Sequence, residues 1–340
     1  MSDTFSVGDL TVQANDFMIE ERCGSHDLIS VQGTRSTALT QYAGKPAKLN
    51  AFQGSDTRTI YGYLDAHATS TGRDRELVSA GYMLGASSVM RSGAERQWRD
   101  KRPFEIAQDI VRPYGFCLEM DTYTYTIPLF VQSAESDWQL LSRLATDIGM
   151  ALIGTNVVIR IVDPVMEIRR RKMRPLYTYD VNKLSEYSIS AQPVPIGFEA
   201  RVFAGIDKFG ETFEVVANEG STITLPAPET VHSLEDAFSA KERIERRRHR
   251  LRRATCSLQF TPILRSGTTV ALTNGAERRV WFIVEATHTR SFEHSATHLV
   301  LHRDEDDQEA TLAVRRSVEW PVPTLHHGRW IAPSRWEREL

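Results

Sequence analysis

The sequence predicts a mostly β protein with an α+β insert, in which two β-barrel domains flank a mixed central domain and an extended C-terminal arm follows. Three observations predict this class. Residues 5–90 contain short segments in which apolar and polar residues alternate, separated by Gly, Asp and Ser turns. The pattern becomes mixed α and β over 98–165, and it returns to strands from residue 176. The predicted domain boundaries are 1–95, 96–168, 169–305 and 306–340.

Composition agrees with a folded protein of two or three domains. The chain has 340 residues, of which 41% are hydrophobic and 25% charged, and these proportions exclude disordered and fibrous classes. No apolar run of about 18 residues is present to span a bilayer, and the N-terminus lacks a signal-peptide pattern. Cys23, Cys117 and Cys256 are widely spaced, which predicts reduced thiols rather than a disulfide scaffold or a zinc ribbon. We expect Cys256 to be a core residue.

Two helices are predicted in the central domain. Pro103 suits the first turn of a helix that ends near Pro113, and its apolar face comprises Phe104, Ala107, Ile110 and Val111. Ser136 and Gln139 form a capping box for the second helix, and Gly149 is a suitable stop. Trp138 lies on the apolar stripe of that helix, so we expect it to be buried.

The third region begins with a basic helix and continues into hairpins. Helical spacing from residue 234 to 253 places one apolar stripe on a charged helix, formed by Leu234, Ala237, Phe238, Ile244 and Leu251. Alternation then predicts a strand from residue 254, with a turn at Gly267 and a hairpin at Asn274-Gly275. Trp281 alternates with its apolar neighbours, and we expect it to face outward.

Basic residues are concentrated in this helix although the formal net charge is −3. The cluster includes Arg246, Arg247, Arg248 and Arg250. Such like charges repel one another, so they either meet an acidic partner or form a solvated face, and both interpretations stay open. Aromatic residues that would stack on bases are not interleaved with the arginines, which argues against sequence-specific nucleic-acid recognition.

The C-terminal arm combines an acidic run at 304–309 with a Pro- and Trp-rich end. It carries Trp320, Trp330 and Trp336 without any sustained period. Because no local core can cover these rings, they predict contacts with a partner chain.

The sequence contains no nucleophile elbow, phosphate-binding glycine loop, zinc-protease motif or calcium loop. Glu135 and Asp137 flank a predicted helix start, where acidic residues interact favourably with the helix dipole. We therefore predict no catalytic residue, no cofactor and no metal site, and the chain is predicted not to be an enzyme. Whether a metal is bound near His288, His298 and His302 is left open.

Two segments resemble phage tail hub proteins, the family that includes late control protein D and the hub part of VgrG. Residues 131–149, VQSAESDWQLLSRLATDIG, resemble the "Q..ESDw.fl.RLa...G" helix of that family. Downstream, a turn and a hairpin resemble the C-terminal barrel of the family, on Leu264, Gly267, Val270, Leu272, Val284, His288, Thr297, Leu299, Leu301 and Arg303. The two segments occur in the order of the family and the matches cover roughly half of the chain.

The resemblance implies two tube-type barrels in each chain and a homotrimeric ring that adapts a sixfold tail tube to a threefold tip. It implies a virion protein of the tail tip or baseplate, assembled in the host cytoplasm. The implied partners are the tail tube protein, distal tail or baseplate proteins and a tip or spike protein, with the tape measure protein as a further candidate. Spike and lysozyme domains are not recognisable. The alternatives are a β-barrel enzyme or carbohydrate-binding tail protein, and a nucleic-acid-binding protein that uses the basic helix.

Overall fold

The structure is a computed structural model, and it describes most of the chain up to residue 303 and two short segments beyond. The described residues are 2–34, 37–71, 77–123, 126–171, 177–191, 199–206, 211–217, 223–226, 234, 237–238, 241, 252–303, 324–326 and 329–331. Among them, no helix is long and apolar enough to cross a membrane.

Seven strands form the first region. They are β1 (Thr4–Val7), β2 (Leu10–Gln13), β3 (Asp16–Arg22), β4 (Leu28–Thr34), β5 (Pro46–Gln53), β6 (Asp56–Thr71) and β7 (Leu77–Gly85). Each pairs antiparallel with its sheet neighbours in the order β3-β4-β7-β6-β5-β1-β2. Alternate residues of β3 and β5 are buried, as the period of two predicts for strands with one face on a core.

The central region is mixed, as the sequence predicts. It contains β8 (Arg96–Lys101), α1 (Pro103–Val111), β9 (Cys117–Met120), β10 (Ile127–Gln132), α2 (Asp137–Asp147), β11 (Ala151–Gly154), β12 (Val158–Val162) and α3 (Pro164–Arg171). β8 and β10 form a two-stranded antiparallel sheet, while β12 lies between β11 and β9 in a second small sheet. Helices α1 and α2 pack on these sheets over a shared core that includes Trp98, Phe130 and Trp138.

The third region returns to strands. It contains β13 (Thr178–Asp180), β14 (Glu186–Ala191), β15 (Glu199–Ile206), β16 (Thr212–Ala217), β17 (Ile223–Pro226), β18 (Arg252–Gln259), β19 (Thr269–Asn274), β20 (Glu277–Arg290) and β21 (Ser295–Arg303). Strands β15, β16 and β17 form a separate sheet. Further along, β22 (Thr324–His326) pairs with β23 (Arg329–Ile331), so the arm contains a short hairpin.

One large curled sheet joins the first and third regions. Thirteen strands of the described residues belong to it, and its main path runs β14-β18-β21-β20-β3-β4 and on to β2. The connection is the antiparallel pairing of β3 with β20, which spans Phe17–Arg22 and Glu285–Arg290. The fold is therefore mostly β with an α+β insert, and the two strand-rich regions are continuous through this pair. The division into separate domains stays a prediction, and α3 crosses the predicted boundary at residue 168.

Local signals in the sequence are confirmed where the structure describes them. Pro103 is the first residue of α1, and the Ser136 and Gln139 side chains form the capping box of α2. Gly149, Gly267 and Gly275 have positive φ angles of 74°, 76° and 59°, which a residue without a Cβ adopts at little cost. Cys256 is buried, and burial raises the pKa of its thiol to about 12.

Several orientations differ from expectation. Trp281 is completely buried rather than outward, because it lies on the face of β20 that packs against Cys256, Leu264 and Leu299. Phe104 is exposed, although the expected apolar face of α1 included it.

On the predicted basic helix, Ala237 is buried beside Phe203, whereas Leu234 and Phe238 are exposed. The three described members of the expected stripe are therefore not on one covered face, and Ile244 and Leu251 lie outside the described residues. The following strand starts at Arg252, two residues earlier than the alternation predicts.

Candidate assembly surfaces and the buried charged junction

A charged cluster lies inside the protein where the first and third regions meet, and we call Glu21, Asp27, Arg58, Arg265 and His288 the junction cluster. Glu21 is opposite Ala286 in the β3–β20 pair, so its side chain and that of His288 share one face of the sheet. Residues distant in sequence thus meet at the seam between the two strand-rich regions.

Arg58 holds Glu21 with both guanidinium Nη atoms. Its Nη1 donates to Glu21 Oε2 at 2.8 Å and to the Pro262 carbonyl at 2.9 Å, while Nη2 contacts Glu21 Oε1. Burial alone would raise the pKa of Glu21, but the charge and hydrogen bonds of Arg58 together with the neighbouring His288 outweigh it and lower the pKa to about 2. Glu21 is therefore an anion at neutral pH, fixed in orientation by a two-pronged pair.

His288 is the neutral member of the junction cluster. The side chain is 0% exposed, and Nδ1 lies 2.9 Å from Thr297 Oγ1. Burial, assisted by the Arg58 charge, lowers the pKa of His288 in spite of the nearby Glu21 carboxylate. The His288 imidazole is therefore neutral, and it does not compete with Arg58 for the Glu21 carboxylate.

The remaining two members have shifted pKa values for the same reasons. Burial and the Glu21 charge raise the pKa of Asp27 well above its usual value. Burial and the Arg58 charge lower the pKa of Arg265 to about 10. The junction cluster is thus a set of mutually dependent charges, and removal of one member leaves the others without compensation.

A second polar contact ties the end of β20 to the first region. Arg290 donates to Asp3 Oδ2 at 2.9 Å and to Gln53 Oε1 at 2.6 Å, and its guanidinium carbon lies 4.1 Å from the centre of the Phe260 ring. Cations attract the face of an aromatic ring at such distances. Because Phe260 also packs edge-on against Phe17 at 5.9 Å, the contact crosses the seam.

The central region is anchored to the third region through Arg160 of β12. This side chain donates to the Gly267 carbonyl at 3.0 Å and to Glu119 at 3.2 Å. A Cβ at Gly267 would lie 2.5 Å from Ile153 Cγ1, so the absence of a side chain allows the close approach. Salt bridges from Arg170 to Glu167 and Asp121 support the same contact from α3.

Asp137 and Trp138 have structural roles that the sequence reveals in part. Asp137 is fully buried and accepts hydrogen bonds from Arg96, Tyr114 and Gln132 at 2.9, 2.8 and 2.7 Å. The position of Asp137 next to a helix start suggested a dipole contact alone, because two of the three donors, Arg96 and Tyr114, are distant in sequence. Trp138 is buried, as expected, and its Nε1 donates to the Gly24 carbonyl of the first region at 2.9 Å.

The predicted interface residues lie almost entirely outside the described residues. This holds for Arg246, Arg247, Arg248, Arg250, Trp320 and Trp336. Trp330 belongs to β23, but its side chain is outside the described part. Their roles in partner contacts therefore stay predictions.

The three histidines that left a metal site open do not converge. His288 is opposite Thr297, and His298 is opposite Thr287, so His288 and His298 occupy opposite faces of the β20–β21 pair. His298 Nδ1 instead lies 2.9 Å from Ser257 Oγ. Within the described residues, no group of three or more His, Cys, Asp or Glu side chains is arranged to hold a metal ion.

The surface of the described residues displays several large apolar side chains. Leu129 and Val131 lie on β10, Ile206 ends β15, and Phe292 is at the β20–β21 turn. Next to the β20–β21 turn, a polar cavity of about 430 Å³ is lined by Asp3, Arg290 and other mostly polar side chains. Asp3 is the one carboxylate among the lining residues of this cavity, and it is already paired with Arg290.

Structural comparison identifies the fold. A tail protein from Neisseria meningitidis superposes with a TM-score of 0.67 at 12% identity, covering 89% of this chain and 96% of that one. A 43 kDa tail protein of prophage MuSo2 from Shewanella oneidensis gives a TM-score of 0.61 at 14% identity, covering 88% and 97%.

A component of the E. coli type VI secretion system, described as structurally similar to the T4 tail proteins gp27 and gp5, gives a TM-score of 0.60 at 12% identity, covering 94% and 82%. No protein-family model matches the sequence, and no curated protein matches it significantly. The chain therefore has the fold of phage tail proteins, along nearly its whole length.

Proposed function

We propose that this chain is a structural hub protein of a phage tail tip or baseplate, or of a related injection device. The observation that carries the proposal is the fold match to tail proteins, which extends over 89% of this chain and 96% of the Neisseria protein. Because the match covers nearly all of both chains, little of either chain remains that could adopt a different architecture. The sequence resemblance of residues 131–149 and of the β19–β21 segment to hub proteins points to the same class.

In the proposed assembly, three copies form a closed ring. Each copy contributes two strand-rich regions, so a trimer presents six similar units to a sixfold tube and three to a threefold tip. A ring of this kind uses head-to-tail contacts that close after one turn. The function is symmetry adaptation, and it needs rigid subunits rather than an active site.

Internal contacts support the rigidity that such an adaptor needs. The junction cluster holds the first and third regions together, and Arg160 holds the central region against the third. Charged groups of the junction cluster are buried at a seam, where mispaired arrangements are costly because they leave charges unpaired. The resulting subunit is rigid, so its contacts with the tube on one side and with the tip on the other keep one defined geometry.

The proposed partners are further copies of this chain, the tail tube protein, distal tail or baseplate proteins and a tip or spike protein, with the tape measure protein as a further candidate. The protein would reside in the virion tail after assembly in the host cytoplasm. The basic cluster Arg246–Arg250 and the tryptophans of the arm are the proposed contact residues. No enzymatic step is assigned to the chain.

Subunit counting tests this proposal. A reconstruction of the particle, or native mass spectrometry of the purified tail tip, should show three copies of this chain in a closed ring. A single copy in the mature particle would contradict the hub assignment. The experiment also gives the location, because the ring should lie between the tube and the tip.

The alternative of a β-barrel enzyme or carbohydrate-binding tail protein predicts a cleft with paired carboxylates and aromatic rings. The cavity beside Arg290 has one carboxylate and no aromatic residue among its lining side chains. Measurement of binding to host glycans would test the alternative directly.

A further inference from the structure

The sheet formed by β8 and β10 has one face on the core and one toward solvent. Trp98 is opposite Phe130 on the inner face, and both are buried. On the outer face, Leu129 is 54% exposed and Val131 is 43% exposed. We call this outer face, with Gln97, Arg99 and Lys101 on β8, the β8–β10 face.

The inner side of the sheet makes the β8–β10 face rigid. Trp98 Nε1 donates to Asp109 of α1 at 3.2 Å, and the Arg143 guanidinium lies 4.3 Å from the centre of the Phe130 ring. Arg143 also donates to the Val131 carbonyl at 2.6 Å. A surface held in this way loses little conformational entropy when a partner binds, which favours affinity.

Cationic side chains lie beside the apolar row. Arg99 is opposite Leu129, and Lys101 is opposite Ile127. The surface is continued by exposed Arg102 and by Phe104, which is 43% exposed at the start of α1. The Lys101 ammonium forms a salt bridge with the Glu105 carboxylate at 3.7 Å. The surface next to the exposed apolar side chains therefore keeps a net positive charge. An acidic and partly apolar chain segment is complementary to such a surface.

The chain itself contains a segment of that composition. Five of the six residues 304–309 are acidic, and Leu312 and Val314 follow them. The segment begins directly after β21, which ends at Arg303. An extended chain spans about 3.3 Å per residue, so residues 304–314 reach at most about 36 Å from the end of β21, which limits the acceptor to an adjoining subunit.

We propose that the β8–β10 face binds the acidic segment 304–314 of a neighbouring copy of this chain. This inference rests on the proposed hub function and names the acceptor of the arm. The acidic residues would pair with Arg99, Lys101 and Arg102, and the apolar residues would cover Leu129 and Val131. Repetition of the contact around the ring would make it a head-to-tail interface that closes.

Disulfide crosslinking between two separate variants tests the proposal. One preparation carries Gln97→Cys on the face and the other carries Gln308→Cys in the acidic run, so neither substitution removes a charge. Both carry Cys23→Ser and Cys117→Ser, while buried Cys256 stays, since its thiol has a pKa of about 12. After mixing and assembly, peptide mapping should identify a disulfide between positions 97 and 308 that joins two chains.

The matched control places the cysteine at exposed Thr122, outside the β8–β10 face. Thr122→Cys should give roughly fivefold less crosslink with Gln308→Cys, and concentrated salt should reduce the 97–308 product to a similar degree because it screens the charge pairing. Equal yields at positions 97 and 122 would overturn the proposal. A third variant carries both Gln97→Cys and Gln308→Cys, and a crosslink that forms only within single chains of this variant would also overturn the proposal, since the segment would then cover its own subunit.

A second measurement covers the case in which the cysteine variants do not assemble. The Arg99→Glu and Leu129→Ser variants should each keep the melting temperature of the parent protein and lose association between copies in sedimentation. Unchanged association would contradict the proposed acceptor. Subunit counting separates the two proposals, because three copies without a 97–308 contact would retain the hub and exclude this interface.

Discussion

Nε2 of His288 lies 3.7 Å from Oε2 of Glu21, and both side chains are buried. The two residues belong to strands that are distant in sequence and adjacent in the sheet. At this separation the imidazole and the carboxylate are too far apart for a hydrogen bond. Burial makes protonation of His288 unfavourable in spite of the Glu21 carboxylate, and the seam is therefore sensitive to pH.

The first prediction concerns this sensitivity. The pKa of His288 is lowered in the folded protein, so the unfolded chain takes up a proton at higher pH than the folded one. The stability that a neutral His288 contributes is therefore complete above about pH 6.5, the ordinary pKa of histidine, and is lost as the pH falls below it. The slope approaches about 1.4 kcal/mol per pH unit for one proton.

Urea unfolding of the wild type and of His288→Gln between pH 8 and pH 5 measures this effect. The variant should show a flatter dependence, because glutamine can still bond Thr297 but does not titrate. His298→Gln, on the opposite face of the β20–β21 pair, is the matched control for replacement of a histidine outside the seam. The low pKa of Glu21, about 2, places the loss of its contribution at more acidic pH. Parallel curves for wild type and His288→Gln would contradict the prediction.

The second prediction concerns the buried pair of Glu21 and Arg58. Glu21→Gln leaves the Arg58 guanidinium buried without a carboxylate, and breaking a buried pair in this way costs about 3–5 kcal/mol. Glu285→Gln is the control, because its salt bridge with Arg22 lies at the surface, where such pairs contribute about 0–1 kcal/mol. Denaturant titration should separate the two variants clearly. Equal losses would mean that the junction cluster does not stabilise the seam.

The third prediction concerns Trp138, which is buried in the central core and bonded to the Gly24 carbonyl. Truncation of a buried Trp typically costs about 3–5 kcal/mol, so Trp138→Ala should abolish soluble expression or assembly. Trp138→Phe keeps most of the packing and loses the hydrogen bond, and a smaller loss is expected. A melting temperature unchanged in Trp138→Ala would show that the residue does not support the core.

The fourth prediction assigns the basic cluster to a protein interface. Replacement of Arg247, Arg248 and Arg250 by Glu should block ring or tube assembly and leave a folded monomer, because arginine pairs with carboxylates orient an interface as well as attract. Circular dichroism checks the fold and sedimentation checks assembly. Tight, salt-sensitive binding of DNA by the wild type would favour the nucleic-acid alternative instead.

The fifth prediction concerns the arm. Deletion of residues 311–340 should leave a folded, soluble protein that does not recruit its neighbour, since the arm carries three tryptophans and proline residues that limit the entropy lost on docking. Particle assembly and infectivity are the measurements. Complete and infectious particles formed by the truncated protein would show that the arm is dispensable.

The sequence by itself determined the class of the fold and much of its local structure. Pro103 marks the first turn of α1, Ser136 and Gln139 cap α2, and Asn274-Gly275 turns the β19–β20 hairpin. These features depend on residues within a few positions of one another, so periodicity, capping and turn preferences suffice to predict them. The hub resemblance and the fold match agree because both follow from the same order of elements.

Tertiary structure alone decided which residues meet at the seam and which faces stay exposed. Glu21 and His288 come together because β3 pairs with β20 in one register, and alternation along a single strand carries no information about that register. Arg58 reaches Glu21 from β6, a strand that pairs with neither β3 nor β20. The burial of Trp281 and the exposure of Phe104 were predicted incorrectly, because both depend on elements that are distant in sequence. Apolar spacing shows that a face exists, whereas the neighbouring elements determine whether it is covered.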